Sequence, residues 1–189
     1  MSRIYLIRHA KPRAAWGGGD DDPGLDETGK AQAEAARDAL LALPEGLRPT
    51  RVVSSPLRRC QETARPFAEA IGVGLEIDPL VGEIPTPRAL KPDERGPWLR
   101  QAFTGRWDAI QGDLDYDAWR RQVTGAVASR PRAAVFSHFV AINAVLTELA
   151  GEPQVITLRP DHASISVFEL QDGALTLIER GREAQTQVL

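Results

Sequence analysis

The chain has 189 residues, which suits one domain, and its 42% hydrophobic and 26% charged residues are the balance of an ordinary globular protein. A net charge of −3 offers no basic patch for nucleic acid or an anionic membrane surface. The single cysteine, Cys60, excludes an intrachain disulfide and a thiolate zinc cluster.

The first residues lack the apolar stretch of a signal peptide, and no run of about 18 apolar residues occurs anywhere. The expectation is a soluble cytoplasmic protein. Lys11, Lys30 and Lys91 are the only lysines, so the positive charge is nearly all arginine. Guanidinium forks suit two-pronged phosphate binding.

Residues 4–7 form a short apolar run, the pattern of a strand buried on both faces of a parallel sheet. Residues 17–24, Gly-Gly-Gly-Asp-Asp-Asp-Pro-Gly, read as a loop. Residues 28–43 are rich in Ala, Gln, Glu and Leu and predict a helix stopped by Pro44 and Gly46. A second strand is expected over 51–54. Ser55 suits an N-cap and Pro56 a first helical position, so a helix should run from there to Ile71 and end at Gly72.

Residues 75–77 predict a third strand. Five prolines within 79–97 make that stretch loop or irregular, with helices expected over 98–111 and 115–129. Residues 133–136 predict a fourth buried strand and 140–150 a helix. Two final strands, over 164–170 and 174–178, flank an Asp172-Gly173 hairpin turn. Strand–helix alternation followed by a hairpin argues for an α/β three-layer sandwich. Its sheet would be mostly parallel, with an antiparallel edge supplied by the hairpin.

Open parallel sheets bind ligands outside the carboxyl ends of their strands. The first strand ends in Arg8-His9. The second leads through Ser54-Ser55 to Arg58 and Arg59. The third leads to Glu83, and the fourth ends in Ser137-His138. Two of the three histidines, two arginine sites and one glutamate therefore converge on one rim.

That set suits phosphoryl transfer. Neutral imidazole is a competent nucleophile toward phosphorus. Fixed cations such as Arg8 and Arg59 stabilise charge on the phosphoryl oxygens, and His138 can donate a further hydrogen bond. Glu83 would protonate the leaving oxygen and later activate water, with Glu76 and Glu94 as alternative donors. His162, in the loop before the hairpin, reads as structural.

These motifs resemble a known family. Ile7-Arg8-His9-Ala10 resembles the Arg-His-Gly or Arg-His-Ala signature of the histidine phosphatase superfamily, also called the phosphoglycerate mutase-like family. The run from Leu25 to Ala33 resembles its next block. The run from Ser54 to Ala64 resembles the block that supplies a second phosphate arginine, and its spacing selects Arg59 over Arg58. Leu80-Val81-Gly82-Glu83 resembles the proton-donor segment, and Phe136-Ser137-His138 the strand end with the second histidine. Ala163 to Val167 resembles the family's late strand.

The resemblance spans most of the chain, in the family's order. It implies the family's α/β fold and a metal-independent phosphohistidine mechanism without cofactors. Two departures stand out: Ile84-Pro85-Thr86-Pro87 replaces a Gly-x-Trp-Glu-Gly-like stretch, and His138-Phe139-Val140 replaces His-Gly-Gly. Both bear on substrate identity.

The expectation is a single domain over 1–189, with 84–112 as a cap whose Arg88, Lys91 and Arg95 would touch the substrate. Its partner would be a small phosphate ester, not nucleic acid or membrane. Three other functions compete. A mutase would return the phosphoryl group to a bound sugar acid, and a binding module would keep the fold without turnover. A metal-dependent hydrolase would use Asp20, Asp21, Asp22 and Asp26.

Overall fold

The computed structural model describes residues 2–13 and 22–184, so Gly17 to Asp21 of the expected loop lie outside the described residues. The strands are β1 (Ser2–Arg8), β2 (Arg51–Ser54), β3 (Leu75–Ile77), β4 (Ala133–Ser137), β5 (Ile165–Gln171) and β6 (Ala174–Glu179). The helices are α1 (Glu27–Leu41), α2 (Arg58–Ile71), α3 (Arg95–Phe103), α4 (Tyr116–Ala128) and α5 (Phe139–Ala150). The strands form one sheet in the order β3-β2-β4-β1-β5-β6. Its first four strands are parallel, and the C-terminal hairpin adds two antiparallel ones.

The apolar run in β1 follows from its position. The strand lies between β4 and β5, so both of its faces are covered. Ile4 and Leu6 join one core with α4 and α5. Tyr5 and Ile7 join a second core with α1 and α2. Each such side chain, fully buried, contributes about 1.5–3 kcal/mol. Nine consecutive residues of α5, Phe139 to Thr147, are buried, which explains a helix apolar almost all round. Asp172 and Gly173 both take positive φ (51° and 82°), as a tight hairpin turn of this hand requires.

Two expectations need correction. α2 starts at Arg58, not at Pro56. Its cap is a distant carboxylate: Asp22 accepts from the Arg58 N–H at 2.8 Å. Ser55 Oγ accepts the Leu57 N–H at 3.3 Å, ahead of the helix, and lies closer to His138 Nε2, at 2.8 Å. The helix expected over 98–111 is also displaced. α3 begins at Arg95, and Pro97 lies in its first turn, where no helical N–H is needed. It stops at Thr104, and Trp107–Ala109 forms a separate 3-10 turn. Trp98, Leu99 and Trp107 are buried in the same core as the sheet. Among the described residues no helix is long and apolar enough to cross a membrane.

Asp26 caps α1 through the Gly29 N–H at 2.7 Å and pairs with Lys11 at 2.9 Å. This brings the first turn of α1 onto the segment after β1. A Cβ on Gly29 would meet the Lys11 carbonyl oxygen at 2.1 Å. Gly29→Ala should therefore destabilise the fold by about 2 kcal/mol, a fall in Tm of roughly 4–8 °C by calorimetry. An unchanged Tm would show that this contact is not held.

Candidate active site

Alternation along β1 sends Arg8 to the α5 side, where its guanidinium carbon lies 5.3 Å from the centre of the Phe139 ring. Its Nη1 donates to the Pro160 carbonyl at 2.8 Å. His9 comes next and is 2% exposed. Its backbone N–H donates to the Ser137 carbonyl at 2.9 Å, which ties the ends of β1 and β4 together. Its Nδ1 lies 2.9 Å from the Ala10 carbonyl oxygen. A carbonyl oxygen only accepts, so the hydrogen of the neutral ring sits on Nδ1 and the lone pair on Nε2.

Ala10 is fixed in turn. Its N–H donates to Thr63 Oγ1 at 2.9 Å, and that hydroxyl donates to the Arg59 carbonyl at 2.6 Å. The loop that holds His9 and the first turns of α2 are thus one unit.

His138 ends β4 and is fully buried. Its Nδ1 lies 3.3 Å from Arg59 Nη2 and 3.4 Å from Glu83 Oε2. Arg59 Nη2 lies 3.5 Å from the same Glu83 oxygen. Ser137 Oγ donates to the Val81 carbonyl at 2.7 Å and fixes the segment that delivers Glu83. Ser55 Oγ can donate to or accept from His138 Nε2. By donating to Nε2, Ser55 can leave the hydrogen of the neutral ring on Nδ1, free to face an oxyanion.

Burial sets the charge states. It pushes the pKa of His9 well below the ordinary 6.5, and His138, Arg8 and Arg59 push the same way. His138 is lowered well below 6.5 too, by burial and then by Arg59 and Arg8. Burial raises Glu83 above the ordinary 4.5 against the opposing pull of Arg59. Arg8 falls to about 10 through burial and stays cationic at neutral pH. Arg8 Nε, Arg59 Nε and Glu83 Oε2 are buried without a hydrogen-bond partner among the described residues. Each such group costs about 1–3 kcal/mol unless a ligand satisfies it. Two cations, neutral imidazoles and unsatisfied donors suit an oxyanion.

The structure therefore brings together Arg8, His9, Arg59, Glu83 and His138. Of the expected cap cations, Arg95 lies close enough for its charge to act on Glu83 and His138. Arg88 and Lys91 are not brought to the rim. The Arg88 side chain is 96% exposed, with Asp113 3.8 Å away, and Lys91 is exposed at the start of a 3-10 turn. Neither alternative proton donor reaches the rim. Glu76 makes a two-pronged pair with Arg51 at the sheet edge, and Glu94 accepts from the Lys91 N–H. Asp22 and Asp26 serve as helix caps, whereas Asp20 and Asp21 lie outside the described residues.

His162 is the site neighbour that sequence reasoning missed. Its ring centre lies 5.8 Å from that of His9. A signal was available. β5 runs antiparallel to β1, so the segment entering β5 must lie at the carboxyl end of β1.

The model of the histidine phosphatase superfamily (branch 1) matches residues 4–182. A probable phosphoglycerate mutase GpmB of Enterobacter sp. (strain 638) is 27% identical over 194 residues, covering 91% of this chain and 86% of that protein. A mycobacterial glucosyl-3-phosphoglycerate phosphatase shares the fold with a TM-score of 0.68 and 22% identity, over 97% of this chain and 100% of that one. The phosphoserine phosphatase of Entamoeba histolytica, solved with 3-phosphoglyceric acid, gives a TM-score of 0.74 and 18% identity, over 98% of each chain. The match over nearly the whole length gives the family: the chain belongs to branch 1 of the histidine phosphatase superfamily.

Proposed function

We propose that this protein is a phosphomonoesterase that passes through a phosphohistidine on His9 and needs no metal. The observation that carries the reading is the contact from His9 Nδ1 to the Ala10 carbonyl. It leaves a neutral ring with its lone pair on Nε2, among buried guanidinium groups.

In this reading Nε2 attacks phosphorus, the N–P bond forms and the ester P–O bond breaks. Arg8, Arg59 and His138 hold the phosphoryl oxygens, and Glu83, protonated, gives its proton to the leaving oxygen. The positive ring so formed keeps its Nδ1–H on Ala10. The Glu83 carboxylate then takes a proton from water, the water oxygen bonds phosphorus and the N–P bond breaks. The arginines supply the cationic charge that a metal would otherwise bring. The chain is then one catalytic domain with 84–112 as its cap, and Arg95 is the cap cation nearest the reaction.

A mutase is the second reading, favoured by the names of the curated relatives. It needs an enclosure that keeps water from the phosphoenzyme. Phosphate release measured against isomer formation on phosphoglycerate separates the two. Hydrolysis should dominate.

The test is incubation with p-nitrophenyl phosphate in excess chelator, an alkaline quench and mass spectrometry. Acid-labile phosphate should appear on His9, with turnover unchanged by the chelator. His9→Ala should lower kcat by about 10⁴ or more in a protein with an unchanged far-UV spectrum. Retained turnover in that variant would sink the mechanism.

Glu83→Gln should slow hydrolysis of alkyl phosphates by about 10²–10³, and p-nitrophenyl phosphate less, because its leaving group needs little protonation. The pH profile follows from the shifts. A lowered His9 pKa keeps the nucleophile neutral below pH 6.5, and a raised Glu83 pKa keeps the acid protonated above 4.5. Activity should peak in mild acid and fall as pH rises through the Glu83 pKa. Glu83→Gln should flatten that alkaline fall, and an unaltered profile would remove Glu83 from the role.

A further inference from the structure

The three histidines of the chain stand in a row across the sheet, at the ends of β4, β1 and the entry to β5. His138 and His9 have ring centres 5.3 Å apart, and His9 and His162 5.8 Å. The first two are engaged by the protein: His9 Nδ1 on Ala10, His138 Nε2 on Ser55. Among the described residues the His162 ring nitrogens have no hydrogen-bond partner, whereas its backbone N–H donates to Asp161 Oδ1 at 2.8 Å.

The loop that carries His162 is fixed on both sides. Pro160 accepts from Arg8 Nη1, and the Arg8 N–H donates to the Ser164 carbonyl at 3.2 Å. Asp161 accepts from Arg182 Nε at 3.1 Å, and the Asp161 N–H donates to the Arg182 carbonyl at 2.8 Å. Ala163 takes a φ of 56°, a conformation unfavourable for a residue with a Cβ. Its N–H points to the His9 carbonyl at 3.4 Å. Backbone strain of this kind persists only where the surroundings over-determine it, and it clusters at ligand sites.

Arg59, Glu83 and the start of α2 lie on the β4 side of His9, while His162 lies on the β5 side. Burial and the nearby Arg8 lower the pKa of His162 to about 4, so at neutral pH the ring offers one donor and one acceptor. That pairing matches a hydroxyl group, which also donates and accepts.

We propose that His162 contacts the organic portion of the substrate and selects phosphoesters that carry a hydroxyl beside the ester linkage. This rests on the phosphatase reading above and adds a specificity determinant to it.

The test compares ethyl phosphate with 2-hydroxyethyl phosphate, which differ by that one hydroxyl. Wild-type protein should favour the hydroxylated ester about 10-fold in kcat/KM. His162→Phe keeps a ring of similar size without the nitrogens. It should abolish the preference and leave ethyl phosphate within about threefold of wild type. His162→Gln, which keeps a donor and an acceptor, should retain part of the preference. No preference in the wild type, a preference untouched by His162→Phe, or equal loss on both esters would overturn the proposal. An equal loss would mean that His162 only positions His9 or supports the loop. If the wild type neither labels His9 nor releases phosphate, the phosphatase reading itself falls and takes this one with it.

Discussion

The contact between His9 Nδ1 and the Ala10 carbonyl sets what the rest of the site can do. An imidazole in water exchanges its proton between two nitrogens and is charged for part of the time near neutral pH. Here the carbonyl fixes the hydrogen on one nitrogen, and burial with Arg8 and Arg59 nearby keeps the second proton off. The contact holds only because Ala10 is held, through Thr63, by the turn of α2 that also carries Arg59. His9 and Arg59 are therefore tied together by one short chain of hydrogen bonds. They stand on cores formed on both faces of the sheet.

Charge balance explains why so polar a cluster is tolerated inside. Two guanidinium groups lie near the buried Glu83 carboxyl, which burial tends to neutralise, and Arg59 also has the more exposed Asp22 carboxylate 3.9 Å away, beside histidines that burial keeps uncharged. The result is a net positive pocket with unsatisfied donors. At an effective dielectric constant near 20, a unit charge pair at 4 Å interacts by about 4 kcal/mol. In the proposed reading, a phosphoryl dianion meeting two such cations would gain several such interactions without asking the protein to rearrange. The scaffold offsets the cost of holding the cluster together. Preorganised charge of this kind stabilises a transition state more than a flexible charge could.

Much of this was legible in the sequence, because strand ends are legible. Short apolar runs at 4–7, 51–54 and 133–136 mark parallel strands, and the rule for their carboxyl ends places Arg8, His9, Ser55 and His138 on one rim. The beginning of α2 was not legible. Ser55 and Pro56 form a good local start signal, but the tertiary demand of His138 for the Ser55 hydroxyl outweighs it, and Asp22 caps the helix from 36 residues away. The three cap cations differ for a related reason. Arg88, Lys91 and Arg95 look alike in sequence, and only packing decides that Arg95 reaches the rim. His162 was read as structural because it sits in a loop before the hairpin, and the sequence does not say that β5 pairs with β1 and so brings that loop to the end of β1.

The most direct test of the central claim is nitrogen-15 NMR of the His9 ring in the ligand-free protein, assigned by comparison with His9→Gln. The account predicts a neutral ring protonated on Nδ1 at pH 7, still neutral at pH 6, with the phosphoryl group carried on Nε2 after reaction with substrate. A ring protonated on Nε2, or one already cationic at pH 6.5, would contradict it.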